Sequence, residues 1–271
     1  MAQKQYNLKT KTPNAILFSA ITAFIALVFF VFTSGFNLQF NLKLIPYSIS
    51  YALGYSAAYI ATVLAVRYGS MAIASLILSF TLIFPTFYGV LVRGDRLGVI
   101  QIIGFVFLFS AMFLSKSHST SDGKKVSTKW AICVVIAFIG NGVCSIASNM
   151  QVDFVAKPAG VDYKHEFMII ALSVSTVLLL VCGLISSKNI KSDLICCTKY
   201  SSLNGICNAA VNLMSLSLIG KIPNTVLYPT SSGLSMIVTF VMCFAIYHER
   251  FRKRQYLGYL FGVISIILLN L

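Results

Sequence analysis

Tyr47, Tyr51, Tyr55 and Tyr59 recur at every fourth position through one apolar stretch, and Asn204, Asn208 and Asn212 do so through another. Residues four apart lie on one slowly drifting face of an α-helix, so each set forms a polar row along a single helix. Phenols and carboxamides donate and accept hydrogen bonds without carrying charge. Two such rows suit the recognition of a small uncharged or zwitterionic molecule, with Tyr51, Tyr55, Tyr59, Asn204, Asn208 and Asn212 as the contact residues. The plainer readings are an interfacial tyrosine belt or packing and, for the asparagines, hydrogen bonds between helices worth about 0.6 kcal/mol each.

A second group of polar side chains surrounds two prolines. Pro85 and Pro229 fall inside apolar stretches, each beside a threonine (Thr86, Thr230). Proline removes a backbone donor and frees the carbonyl four residues earlier, here Thr81 and Thr225. Such a break either exposes backbone to a solute or only kinks the helix. Under the first reading Thr81, Thr86, Thr230, Ser231 and Ser232 are the side chains at hand.

The elements that must hold these rows are membrane helices. The chain of 271 residues is 58% hydrophobic and only 10% charged, with a mean hydropathy of +0.85. Nine apolar windows recur, at 15–33, 45–66, 70–92, 98–115, 130–150, 167–187, 201–219, 224–247 and 255–271. A bilayer core about 30 Å thick takes about 20 apolar residues as a helix. Lipid offers unpaired backbone groups no partner, so spanning segments are helices or closed barrels; windows of this length choose helices. The expected fold is an all-α polytopic membrane protein of about nine spans.

The net charge of +14 does not point to nucleic acid, because the basic residues fall almost wholly between the windows. Numbering the loops alternately places 15 of the 21 Lys and Arg on the side of the N-terminus. That bias predicts a cytosolic N-terminus and an external C-terminus. The seven acids (Asp95, Asp122, Asp153, Asp162, Glu166, Asp193 and Glu249) all fall in loops or at window ends. A carrier of cations would be expected to hold a carboxylate within the membrane, and a phosphorylated solute would want a buried cation. Neither is evident, which again favours a neutral or zwitterionic solute. Glu166 comes nearest, and an acid favoured by a helix N-terminus explains it simply. The cysteines show no metal spacing; Cys133, Cys144, Cys182, Cys207 and Cys243 read as small core-facing residues.

The chain also repeats itself. At an offset of 154 residues Arg96, Gln101, Gly104 and Leu114 coincide with Arg250, Gln255, Gly258 and Leu268, and Asp95 matches Glu249. Each copy is helix, short charged hinge, helix. The organisation reads as an N-terminal repeat of four helices (1–116), a linker (117–129) and a C-terminal repeat of five (130–271). An odd number of helices per copy inverts the second relative to the first. A five-plus-five arrangement would need one more helix before Ala15, ending near Gln5–Lys9; nine helices sufficient in themselves is the competing reading.

The hinges Gly94-Asp95-Arg96-Leu97 and His248-Glu249-Arg250-Phe251 resemble the charged hinge between the fourth and fifth helices of EamA-type proteins, in the drug/metabolite transporter superfamily. The proline-bearing stretches Ser79–Thr86 and Leu227–Gly233 are similar to that family's fourth helices. The resemblance covers nearly the whole chain, apart from a first helix. It implies a permease working by alternating access between two inverted repeats, in the bacterial cytoplasmic (inner) membrane. It also implies both termini in the cytosol, against the charge count. The expected partners are the lipid bilayer and a small-molecule solute, with no nucleic acid and no cofactor. Gly258 and Gly262 form a GxxxG face for packing within the chain or in a homodimer. No constellation supports an enzyme. The alternative to a carrier is a truncated, non-transporting membrane protein or scaffold.

Overall fold

The computed structural model describes residues 14–68, 78, 80–115, 128–186, 190–245 and 253–269. The Gln5–Lys9 stretch, the start of the 70–92 window, most of the 117–129 linker and the His248–Phe251 hinge lie outside the described residues. Within them the chain is all-α, without a β-strand. In chain order the helices are α1 (Ala15–Thr33), α2 (Ile45–Tyr68), α3 (Phe80–Arg93), α4 (Val99–Ser115), α5 (Thr128–Gln151), α6 (Lys164–Ser186), α7 (Ile190–Leu218), α8 (Asn224–Ala245) and α9 (Lys253–Leu269). Among the described residues, four helical stretches are long and apolar enough to cross a membrane: Ala15–Thr33, Leu42–Ala65, Thr128–Ala159 and Lys164–Ile185. One boundary differs from the sequence reading. The 188–199 stretch, expected as a loop, is helical from Ile190. Charged side chains do not stop a helix; glycine, proline or a cap does, and neither glycine nor proline occurs before Gly205.

The chain forms two compact units, each drawing helices from both halves of the sequence. The first spans Met1–Ser70 and Lys124–Gly220 and contains α1, α2, α5, α6 and α7. Helices α1 and α6 run antiparallel: Asn14 Nδ2 donates to the Gly183 carbonyl at one end (3.3 Å), and the Phe30 and His165 rings meet edge-on at the other. Helix α1 runs parallel to α7, where Ser201 Oγ donates to the Phe18 carbonyl at 3.3 Å. Helix α2 runs parallel to α6, where Ser48 and Ser175 donate to the carbonyls of Phe167 and Ala52, both at 3.2 Å. A hydroxyl that reaches a neighbouring backbone ties helices where lipid supplies no competing water.

Helices α2 and α5 cross antiparallel at a pair of glycines. A Cβ on Gly140 would stand 2.7 Å from the Gly54 carbonyl oxygen, and one on Gly54 2.8 Å from that of Gly140. Lipid chains are as apolar as leucine, so close backbone approach at small residues, rather than hydrophobic exclusion, drives such crossings. Ile132, Val135, Ile136 and Ile139 of α5, beside that contact, are all exposed and apolar, as lipid contact demands.

The second unit spans Met71–Gly123 and Lys221–Leu271 and contains α3, α4, α8 and α9. Helices α4 and α9 cross antiparallel, with Gly104 against Leu268 and Leu269 and Phe107 edge-on to Phe261 at 5.1 Å. Leu82, Leu108 and Leu269 form the buried core, and Gly233 of α8 packs on Ile266. Helix α3 is irregular. It begins as 3-10 turns (Phe80–Leu82), continues as α-helix (Ile83–Tyr88) and ends wider, with π bonding (Gly89–Arg93). Pro85 cannot donate to the preceding turn, which explains the change of winding next to it. The helix ends at Gly94 with φ +70, a left-handed position that glycine adopts without strain.

Candidate functional site

The tyrosine and asparagine rows meet inside the first unit. Tyr59 Oη accepts from the side-chain amides of Asn204 (3.1 Å) and Asn208 (3.2 Å), and Asn208 Oδ1 accepts from Asn212 Nδ2 (2.6 Å). The four side chains thus form one network joining α2 to α7. Two amide donors occupy the two lone pairs of the Tyr59 oxygen, and the neighbouring Tyr55 phenol is the remaining hydroxyl at its side. The tyrosines also stack along α2. Ring centroids are 6.0 Å apart from Tyr51 to Tyr55 and 4.9 Å from Tyr55 to Tyr59, and Tyr51 meets Phe167 of α6 edge-on at 5.5 Å. Such aromatic pairs contribute about 0.5–1.5 kcal/mol each beyond their buried area. Tyr51 and Tyr55 are 4% and 5% exposed, which excludes the interfacial-belt reading for both.

Tyr55 is the member whose polar end has least to do. Its hydroxyl is closed to solvent and faces only the Tyr59 phenol, with which it forms a hydrogen-bonding contact outside good geometry. A buried hydroxyl without a well-formed bond costs about 1–3 kcal/mol, so this position is poised to take a bond from a bound molecule. Cys144 of α5 closes the same end of the row, its thiol pointing to the Tyr51 carbonyl at 3.5 Å.

The hydroxyl group around the prolines is placed in the second unit and is differently engaged. Thr81 Oγ1 donates to the Leu78 carbonyl (2.7 Å), Thr86 Oγ1 to that of Leu82 (2.8 Å) and Ser231 Oγ to that of Leu227 (2.7 Å). Thr86 and Ser231 bond backward within their own helices, and Thr81 bonds back to Leu78, just ahead of α3. Thr230 and Ser232 are half-buried on α8. The carbonyl of Pro85 itself accepts from Asn224 Nδ2 at 3.0 Å.

That asparagine belongs to a polar knot the sequence reading missed. Asn224 Oδ1 accepts from Arg93 Nη1 (2.8 Å), and the Asn224 backbone N–H donates to Asp95 Oδ2 (2.7 Å). The Arg93 guanidinium also lies over the Tyr88 ring at 5.9 Å. Gly89 admits this knot, because a Cβ there would collide with both the Asp95 carboxylate and Asn224. The only sequence signal was an asparagine at the start of a window, the common place for a helix cap.

Two other features escaped as well. Asn141, Ser145 and Asn149 repeat at every fourth position of α5, the spacing that revealed the α7 row, and each bonds back to its own helix. Cys182 and Cys207, expected to face a core, are exposed on α6 and α7. A small apolar thiol is compatible with lipid contact, so periodicity in a wholly apolar helix does not discriminate between the two faces. Cys133 and Cys144 are half-buried; the side chain of Cys243 lies outside the described residues. Among the described residues, no group of three or more His, Cys, Asp or Glu side chains gathers as a metal site would need.

No family model and no curated protein matches the chain. Among solved structures, one described only as "Crystal structure of protein" is similar over 100% of this chain and 97% of its own, at 13% identity and a TM-score of 0.70. At that identity the likeness establishes a shared fold across the whole chain and says nothing of activity.

Proposed function

We propose that this protein is a secondary transporter of the EamA type, carrying a small neutral or zwitterionic organic solute by alternating access between two inverted repeats. The observation that carries the reading is the Tyr59–Asn204–Asn208–Asn212 network beside the Tyr55 hydroxyl, which has no bond at good geometry. An uncharged array with spare donors and acceptors, buried among apolar helices, is the equipment for binding a polar solute away from water.

The helix packing supports the repeat. Aligned from their C-terminal ends, the two halves pair α1 with α6, α2 with α7, α3 with α8 and α4 with α9. Copies inserted in opposite senses should bring equivalent helices together antiparallel, as α1 with α6 and α4 with α9 are. The cross-pairs are reciprocal: α1 runs parallel to α7 as α6 runs parallel to α2. The two polar rows occupy helices that this pairing makes equivalent, and their hydrogen bonds across α2 and α7 support reading them as one site. Nine spans, the bacterial cytoplasmic membrane and an external C-terminus belong to the same proposal.

Reconstituted protein screened for uptake across amino acids, polyols, sugars and cationic dyes tests it. The expected result is flux for members of the neutral or zwitterionic classes, reduced by Tyr55→Phe. No flux for any class, from monodisperse protein, would replace the carrier with a non-transporting membrane scaffold.

A further inference from the structure

Between α1 and α2 the chain alternates without a break: Phe36, Leu38, Phe40, Leu42 and Leu44 are apolar, and Asn37, Gln39, Asn41 and Lys43 between them are polar. The segment forms no strand; after a turn at 34–36 it is irregular until the 3-10 turn Leu42–Leu44. Successive side chains of an extended chain turn to opposite sides, and Asn41 is extended (φ -119, ψ 124). Alternation thus gives the segment an apolar side and a polar side. Leu44 turns into the core, whereas Phe36, Phe40 and Leu42 are 72%, 62% and 81% exposed. Phe36 is held outward on a left-handed backbone (φ +61), a position uncommon for any residue but glycine. Its ring meets that of Phe32, exposed in the last turn of α1, edge-on at 6.4 Å.

The backbone donors of this segment are turned inward. The N–H groups of Ser34, Gly35 and Asn37 donate to the carbonyls of Phe30, Phe32 and Ser34 at 3.0–3.4 Å, and that of Phe36 to Ser34 Oγ at 3.3 Å. Gln39 donates at 2.9 Å to Oε1 of Glu166, which is only 5% exposed in the first turn of α6. Lys43 and Leu44 donate to the side chain and the carbonyl of Asn41, both at 3.0 Å. A loop in water can leave such groups to solvent. A segment lying against lipid must satisfy them within the protein.

Helices α1 and α2 are both of bilayer length, so the segment joining them sits where they leave the membrane. The exposed surface of α1 carries Phe24 and Phe32, and that of α2 carries Ile45, Ile49 and Leu53. The apolar side of the loop continues both surfaces. We propose that residues 34–44 form an amphipathic anchor lying along the membrane surface. Phe36, Phe40 and Leu42 are seated among acyl chains just beneath the headgroups, and the exposed Lys43 extends to lipid phosphate. Lipid is the occupant because these side chains prolong faces that already meet it. The loop is thereby held from two directions, by the bilayer outside and by Glu166 within. The anchor requires that α1 and α2 span a membrane; it does not depend on solute transport.

Tryptophans introduced singly at Phe36, Phe40 and, as a control, Phe24 midway along α1 report their surroundings in reconstituted vesicles. Trp130, the only tryptophan of the chain, is replaced by phenylalanine; should that background not fold, the wild-type signal is subtracted instead. Phe24→Trp should lose emission chiefly to phospholipid brominated near the ends of its acyl chains. Phe36→Trp and Phe40→Trp should lose it chiefly to phospholipid brominated near the headgroup, with little loss to aqueous iodide. Lipid quenching at 24 with iodide quenching alone at 36 and 40 would overturn the anchor and leave the spans standing. Emission at 36 and 40 that neither quencher reaches would overturn it too, with a second copy or another protein segment covering the loop. Absence of lipid quenching at 24 as well would remove the spans and the anchor together.

Discussion

Asp95 accepts the backbone N–H of Asn224 at 2.7 Å, so the acid of the charged hinge after α3 caps the start of α8. The hinge motif thereby acquires a structural task besides marking topology: it holds two helices of one unit at a fixed separation. Asp95→Ala should cost about 1–2 kcal/mol, the usual range for losing a cap, and Asp95→Asn distinctly less because an acceptor remains. Thermal unfolding in detergent measures both. Gly89→Val should exceed either, since its side chain would occupy the space of the Asp95 carboxylate and Asn224.

Tyr55 and Tyr59 should separate binding from packing. Tyr59→Phe strands the amides of Asn204 and Asn208, at about 1–3 kcal/mol for buried donors left unbonded, and should lower both melting temperature and flux. Tyr55→Phe removes a hydroxyl that bonds nothing at good geometry. It should leave the melting temperature unchanged or slightly raised while reducing flux. Equal behaviour of the two variants in both assays would show that the row only packs.

Thr86→Val should be nearly silent. The Thr86 hydroxyl is spent on the Leu82 carbonyl of its own helix, and such back-bonds add little to helix stability. Ser231→Ala, for the same reason at Leu227, should keep flux within about twofold, less than the tenfold step that one net hydrogen bond of about 1.4 kcal/mol represents. A large loss of uptake in either variant, with normal yield, would return these residues to the solute site.

The α2–α5 crossing sets how far the bundle tolerates bulk. Gly140→Leu would drive a side chain into Gly54 and Ala58, where overpacking costs about 1–3 kcal/mol or more. Membrane yield and monodispersity should collapse. Gly160→Leu, at a chain turn with open space around it, should keep both, though its left-handed backbone adds strain of about 1–2 kcal/mol.

The sequence by itself determined that the chain is helical, where the apolar windows lie, and which residues share a face. These follow from local rules: lipid forces backbone bonds to close within a segment, and a period of 3.6 residues aligns every fourth side chain. It therefore exposed the Tyr51–Tyr55–Tyr59 and Asn204–Asn208–Asn212 rows before any packing was known. Only the tertiary structure decided that Tyr59 accepts from two of those asparagines, that Thr86 bonds its own helix, that Asp95 caps α8, and that Glu166 is buried beneath Gln39. Each of these depends on which face a helix turns toward a partner more than a hundred residues away, or on how a side chain divides its bonds. In helices apolar on every side, hydropathy carries no record of that choice, because lipid and neighbouring helix are equally good company for a methyl group.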